Sequence, residues 1–360
     1  MGHPKINNTT DFHFEPLFLQ DEEMRPLFVG LVKATFRIQP SQNGPLIPMQ
    51  DQVPAVVAGE PYDDPETGSY KYEPECAPYK CNTDIVLVGS AKAPQENMRQ
   101  FDCGFRVGNQ VKVARIFGER VWVKGMLGMT ASETQPVTEV PLTYENAFGG
   151  VDLSVEMEHG NPLEVRNPVG KGFHHKKGQR VVNSPLPQIE DPSNLIANYN
   201  DCPAPVGFGF TSPNWHPRRE FAGTYDETWL NERSPLMPED FNPLFHNAAS
   251  SQLVANGYLN GDEPVQILNA SPWPKLVFHL PGLPPPVITL TLKNGQVCLL
   301  QTVLDTVIVN TEDMLLFLHY RVKQVLKSGV HGVRSIDVAI SGQASSGQSA
   351  MRPGLHPASV

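Results

Sequence analysis

The amino-acid sequence predicts a mainly β protein: a large antiparallel sheet system, sandwich-like or barrel-like, with long ordered loops and a few short helices. Three observations predict it. The 360 residues include 35 prolines and 29 glycines; proline removes a backbone donor and breaks helix interiors, so a mostly helical chain is excluded. Segments that alternate apolar and polar residues with period two lie near both ends of the chain. Between them, residues 130–250 show almost no clean period, yet their aromatic and small residues argue for ordered coil pinned against a scaffold.

In chain order, residues 1–27 read as polar and loop-like. Val32, Ala34, Phe36 and Ile38 then alternate with Lys33, Thr35 and Arg37, the signature of a strand with one buried face. Pro45 to Tyr79 is rich in Pro, Asp, Glu and Tyr and reads as a long acidic loop. Asp84 to Val88 is a short apolar run suited to a strand covered on both faces. Val111 to Ile116 is a further strand, turning through Phe117-Gly118-Glu119-Arg120 into Val121-Trp122-Val123. Order returns with strands at Leu276–Leu280, Val287–Leu292, Val297–Leu300 and Val303–Val309, and Lys293-Asn294-Gly295 supplies an Asn-Gly hairpin turn. Met314 to Val322 fits a buried strand or a short helix, and Ile336 to Ile340 is the last strand. The organisation expected is a single domain over residues 1–340, with N-terminal strands in 28–125, the irregular middle in 130–250 and C-terminal strands in 276–340. Residues 341–360 are rich in Ser, Gly, Gln and Pro and read as a disordered tail.

Composition narrows the function. A formal charge of −10 disfavours nucleic acid, whose binding draws on neutralising phosphates. Neither a secretory h-region nor an apolar run near membrane-spanning length is present, so the expectation is a soluble, cytoplasmic protein with no membrane partner. The five cysteines, Cys76, Cys81, Cys103, Cys202 and Cys298, are odd in number and scattered, which points to reduced thiols.

The chemistry-bearing motifs of common enzymes are missing. There is no HExxH, no GxSxG and no phosphate-binding loop, and Gly207-Phe208-Gly209 lacks the third glycine of a dinucleotide fingerprint. Cys76 and Cys81 are not at zinc-knuckle spacing, and His174-His175-Lys176-Lys177 reads as a solvated loop. No catalytic residue, metal ligand or cofactor is therefore expected, and the chain reads as a non-enzyme. The rival reading is a hydrolase or nuclease acting from the irregular middle.

The stretch Trp215 to Phe241 is dense in aromatics and charges. It reads either as a loop folded over a sheet or as a contact surface, since Trp, Tyr and Arg dominate interface energetics. Trp215, Tyr225, Asp226 and Trp229 are expected mainly to hold the middle region in place, and Asp240 to start a helix. In an extended segment Tyr225 and Trp229 share one side, with Asp226 on the other. Arg218 and Arg219 are then the better candidates to touch a partner. These six residues form the candidate partner-binding set.

A run of short motifs punctuates the chain: GSAKAP at Gly89, IFGERVW at Ile116, PLTYENAFGG at Pro141, RNPVGKGF at Arg166, LPQIE at Leu186, PVGFGF at Pro205, then W..R..FAGTYDETW and P.DF from Trp215. In order and wording, across residues 10–325, they resemble a family catalogued as a domain of unknown function and encoded beside type VI secretion spike and toxin genes. The resemblance implies a bacterial cytoplasmic adaptor or chaperone. Its expected partners are a secreted toxin effector with a PAAR-like spike-tip domain and the valine-glycine-repeat spike protein onto which that effector is loaded. Many relatives continue into pentapeptide repeats; this chain ends in a polar tail without them.

Overall fold

The computed structural model describes residues 3–39, 46–63, 68–126, 128–155, 160–175, 181–327 and 329–340. The tail expected at 341–360 and part of the His-His-Lys-Lys segment lie outside them. Strands make up 40% of the structure against 8% helix, in several open sheets with no closed barrel. The mainly β expectation holds, and of its two forms the barrel is set aside.

Three larger sheets carry the fold. The first has five strands in the order His13–Gln20, Pro26–Arg37, Leu315–Val325, Val303–Asn310, Asp84–Val88. All its pairs are antiparallel except the last, where Val303–Asn310 runs parallel to Asp84–Val88. The two ends of the chain are thus joined in one sheet: Lys33 lies opposite His319 and Phe36 opposite Leu316. The second sheet runs Ile189–Glu190, Gln110–Phe117, Gln100–Val107, Pro264–Leu268, Lys275–His279, antiparallel throughout. The third runs Lys5–Asn8, Val333–Ile340, Pro286–Leu292, Val297–Gln301, with its first pair parallel. Apolar side chains from all three meet in one core, among them Phe28 and Phe36, Phe101 and Phe105, and Ile288 and Ile336. Each fully buried aliphatic or aromatic side chain contributes about 1.5–3 kcal/mol. The third sheet lies directly on the first: a Cβ at Gly30 would fall 2.4 Å from Ile288 Cδ1, so glycine is what lets the sheets approach.

Several expectations need correction. Where loop is expected over 1–27, the described residues, 3–27, supply Lys5–Asn8, His13–Gln20 and the start of Pro26–Arg37. Pro16 obscured this, and it is tolerated because its strand lies at a sheet edge. The segment Pro26–Arg37 is buried on both faces, Lys33 and Thr35 included, because loop 46–79 covers the face that alternation assigned to solvent. Gln52, for example, both donates to and accepts from the Thr35 backbone. Loop 46–79 also carries a small ladder of its own, Glu60–Pro61 with Tyr70–Tyr72. Met314 to Val322 resolves as strand. Gln100–Val107 and Pro264–Leu268 are strands that the sequence reading passed over.

The middle region is ordered by a definite job. Asp84–Val88 is at the sheet edge yet wholly buried, because irregular backbone lies along it. Leu87 N donates to Phe208 O at 3.0 Å, and Thr83 exchanges hydrogen bonds with Gly257 O and Ala255 N. An exposed edge strand is an aggregation template, and covering it with a loop removes that hazard. The five cysteines are free thiols. Among the described residues no helix is long and apolar enough to cross a membrane.

Candidate functional site

The segments singled out by motif are tied together by buried ion pairs. Arg120, from IFGERVW, pairs with Glu190 of LPQIE; it also donates to Pro187 O at 2.9 Å and lies over the Phe117 ring. Arg218 pairs with Glu73 and donates to Thr211 O at 2.7 Å and Phe245 O at 2.8 Å. Burial pushes the Glu73 carboxyl up, and the Arg218 guanidinium offsets only part of that. Lys80 meets Asp84 at 2.7 Å, and Asp84 also accepts from Asn247 Nδ2 and Ala248 N. Lys33 meets Glu75 at 2.7 Å, with His319 Nε2 at 3.4 Å from the same carboxylate oxygen. Arg321 pairs with Asp305 and caps the carbonyls of Glu75 and Ala77. Burial, then the charges of Lys33 and Arg321, hold His319 well below the ordinary histidine range. His246 is pushed down to about 4, mainly by burial.

Two residues of these networks, Arg218 and Asn247, stand in the wall of an apolar cleft of ≈ 330 Å³. Tyr144, Arg166, Pro205, Phe221, Leu244 and Ser250 are among its walls, so four separate motif segments converge there. Local chemistry explains the convergence. Asn167 Nδ2 donates to Tyr144 O at 2.8 Å and Phe148 O at 2.9 Å, fastening PLTYENAFGG to RNPVGKGF. Gly207 of PVGFGF lies against the Tyr144 ring so closely that a Cβ there would fall 2.1 Å from Cζ. Trp215 closes the other side, edge-on to Tyr144 with ring centroids 5.2 Å apart. Arg166 stands at the cleft with a two-pronged grip on Glu164, both contacts at 2.7 Å.

Ser250 is one of the residues that line the cleft. Its Oγ accepts a hydrogen bond from Lys112 Nζ, and the Tyr144 phenol stands near it in the same wall. Lys112 comes from the second sheet, on the buried parity of Gln110–Phe117 shared with Ala114 and Ile116. Burial pushes its ammonium pKa down to about 8. Sequence reasoning missed both residues. The available signal was a lysine on the inward parity of an otherwise regular strand, opposite a small-residue run, Ala248-Ala249-Ser250.

The predicted contact set is redistributed. Trp215 is buried, and so is Arg218, whose guanidinium is committed to Glu73 and two carbonyls; it is not a surface fork. Arg219 is exposed. Asp226 does not oppose Tyr225 across an extended segment: it caps the α-helix Glu227–Glu232, accepting from Trp229 N at 2.8 Å. Asp240 starts no helix; it accepts from Thr224 N and Oγ1 and so closes the loop around that α-helix. Tyr225 is 56% exposed and stands edge-on to Trp229 at 4.7 Å, while Leu230 is 61% exposed. Beside them lies a groove of ≈ 380 Å³ walled by Trp229, Arg233 and the acids Asp226, Glu232, Glu239 and Asp240. Among the described residues no group of His, Cys, Asp and Glu is set to hold a metal ion.

The model of a family described as an uncharacterized protein conserved in bacteria, DUF2169, matches residues 23–321. The chain belongs to the DUF2169 family. That match contains the second sheet, the cleft and the aromatic helix, and it leaves outside it Lys5–Asn8, His13–Gln20 and Val333–Ile340. No curated protein and no solved structure matches the chain. The DUF2169 member described here therefore stands on its own geometry for function.

Proposed function

We propose that the protein is a bacterial cytoplasmic adaptor that binds a toxin effector of a type VI secretion system through its PAAR-like spike-tip domain. In this reading it keeps the effector soluble and helps load it onto the valine-glycine-repeat spike. The observation that carries the reading is the segment around the α-helix Glu227–Glu232, where Tyr225 and Leu230 are exposed and the half-buried Trp229 walls a groove together with four acids. Aromatic side chains ringed by polar groups are the usual core of a protein-binding surface. The ordered motif set that resembles the adaptor family supports it from the sequence side. A spike-tip domain covers one face only on assembly, and a partner that shields an apolar patch meanwhile prevents aggregation.

The reading is tested by co-expressing the chain with a PAAR-like toxin encoded beside it and measuring the soluble toxin and the affinity of the purified pair. Tyr225→Ala with Trp229→Ala is expected to weaken binding by about 10-fold or more, since truncating a binding anchor costs about 2 kcal/mol. Trp229 is half-buried and donates its indole N–H to Leu236 O, so Tyr225→Ala alone, at an exposed ring, is the arm that should leave the melting temperature of the adaptor nearly unchanged. A toxin equally soluble and equally secreted without the protein overturns the reading, as does unchanged affinity in the double variant.

A further inference from the structure

Lys33, Lys80, Lys112, Arg120, Arg218 and Arg321 are the buried cationic side chains among the described residues, and all but Lys112 form an ion pair with a carboxylate. An unpaired buried ammonium is costly, and the usual outcome is that the amine sheds its proton. Lys112 Nζ donates to the Ser250 hydroxyl, with the Phe208 ring at 5.9 Å and the Asp191 charge acting on it from beyond contact. Ser250 faces the cleft and Lys112 reaches it from behind, off the second sheet. Tyr144, also in the cleft wall, stands near the same serine, and burial pushes its phenol up so that it stays protonated. Nucleophile and base within hydrogen-bond reach, with a third group orienting them, is the arrangement that activates a serine.

We propose that Ser250 is a nucleophile that accepts acyl groups from ester substrates entering the cleft, with Lys112 as its general base and Tyr144 as the positioning residue. Ser250 Oγ bonds to the ester carbonyl carbon as its proton passes to neutral Lys112 Nζ. The carbonyl re-forms, the bond to the leaving alkoxy oxygen breaks, and that oxygen takes the proton from the Lys112 ammonium. An acyl-serine and a free alcohol result. Water, deprotonated by the same amine, then releases the carboxylic acid and restores the serine. The residues are far apart in sequence, Lys112 and Ser250 being separated by 138 positions, so no linear motif could display them. The proposal stands apart from the adaptor reading, because acylation needs no protein partner.

The purified full chain is incubated with p-nitrophenyl acetate and, separately, with a fluorophosphonate probe, and the labelled residue is mapped by mass spectrometry. Label is expected on Ser250, at a rate that rises as pH passes through about 8, where Lys112 loses its proton. Lys112→Met should slow labelling by about 100-fold, the low end of what a general base supplies, while the circular dichroism spectrum stays as in the parent and the protein melts no earlier. Ser250→Ala should take no label. If that variant fails to fold, Ser250→Cys replaces it: its thiol should react with iodoacetamide with the same pH midpoint, and lose that midpoint when combined with Lys112→Met. Folded parent protein that takes no label on Ser250 at any pH overturns the proposal, as does labelling whose rate and pH profile are unchanged in Lys112→Met.

Discussion

Two buried lysines on neighbouring sheets receive opposite treatment. Lys33, on the first sheet, meets Glu75 at 2.7 Å, and that carboxylate also accepts from the Val56 backbone. Lys112, on the second, meets a serine hydroxyl. In the first case attraction and hydrogen bonds in a poorly solvated interior offset desolvation. In the second no carboxylate is in contact and only the more distant Asp191 charge offsets part of the desolvation, so the ammonium gives up its proton far more readily than an exposed lysine does, near pH 8. The first arrangement fastens loop 46–79 to the central sheet and builds the fold. The second leaves a proton acceptor beside a hydroxyl that lines a cleft, an arrangement whose natural use is chemistry.

The sharpest way to break this comparison is to remove one partner from each. Glu75→Ala strands the Lys33 ammonium, with His319 held neutral beside it and unable to replace the carboxylate. The expected cost is about 3–5 kcal/mol, that of breaking a buried ion pair. Lys112→Met removes the buried ammonium and puts an unbranched apolar chain where the lysine stem lay, so at neutral pH it should leave the fold no less stable than the parent. Urea unfolding of both variants measures the difference. Equal losses would mean that Lys112 carries a charge the fold depends on, and the contrast would collapse.

A second measurement titrates the contrast. Lys112 has its pKa lowered from 10.5 to about 8 in the folded protein. Below pH 8 both folded and unfolded forms hold the proton, and the folded state bears the full penalty of burying it. Between 8 and 10.5 the unfolded chain binds more protons than the folded one, so stability contributed by this group rises with pH. The total swing is about 3 kcal/mol at 1.36 kcal/mol per pKa unit. Cys103, pushed up by burial to about 12, works in the opposite direction over the same range, so the quantity to measure is parent minus Lys112→Met. That difference should climb from neutral pH towards pH 10.5. A flat difference would show that the amine is charged in the folded state.

How much of this was legible from the residues differs between fold and site. The C-terminal strands were readable because Ile288 and Leu290 alternate cleanly with Thr289 and Thr291, and the Asn-Gly turn closes their hairpin. The N-terminal strand was read with one solvent face, since local alternation carries no information about a loop that arrives to cover Lys33 and Thr35. Gln100–Val107 did carry a period-two signal, with Phe101, Cys103, Phe105 and Val107 turned inward. Gly104 in its middle weakened that signal. For the aromatic stretch the sequence identified the right residues and misassigned their exposure. Arg218 and Arg219 are adjacent in sequence, and only the turn of the 3-10 helix Arg218–Ala222 decides which one faces Glu73. The Lys112–Ser250 contact needed the packing of two distant segments, which no spacing rule supplies.

The smallest expected effect separates those adjacent arginines. Arg218 is buried with three acceptors, Glu73, Thr211 O and Phe245 O, so Arg218→Ala strands a buried carboxylate and should cost about 3–5 kcal/mol. Arg219 is exposed, and among the described residues it forms no ion pair; its backbone N–H donates to Trp215 O at 2.9 Å, a bond that alanine keeps. Exposed substitutions away from caps and networks usually stay within about 0.5 kcal/mol, so Arg219→Ala should unfold at nearly the parent urea concentration. If the adaptor reading is right, the same variant should still lose affinity for an effector that presents a carboxylate there, because a guanidinium fork at an interface rim is worth more to a partner than to its own fold. A stable Arg219→Ala protein with undiminished affinity would confine the contact surface to Tyr225, Trp229 and Leu230. An unstable one would mean that Arg219, like its neighbour, belongs to the ion-paired interior, and the division between the two arginines would have to be abandoned.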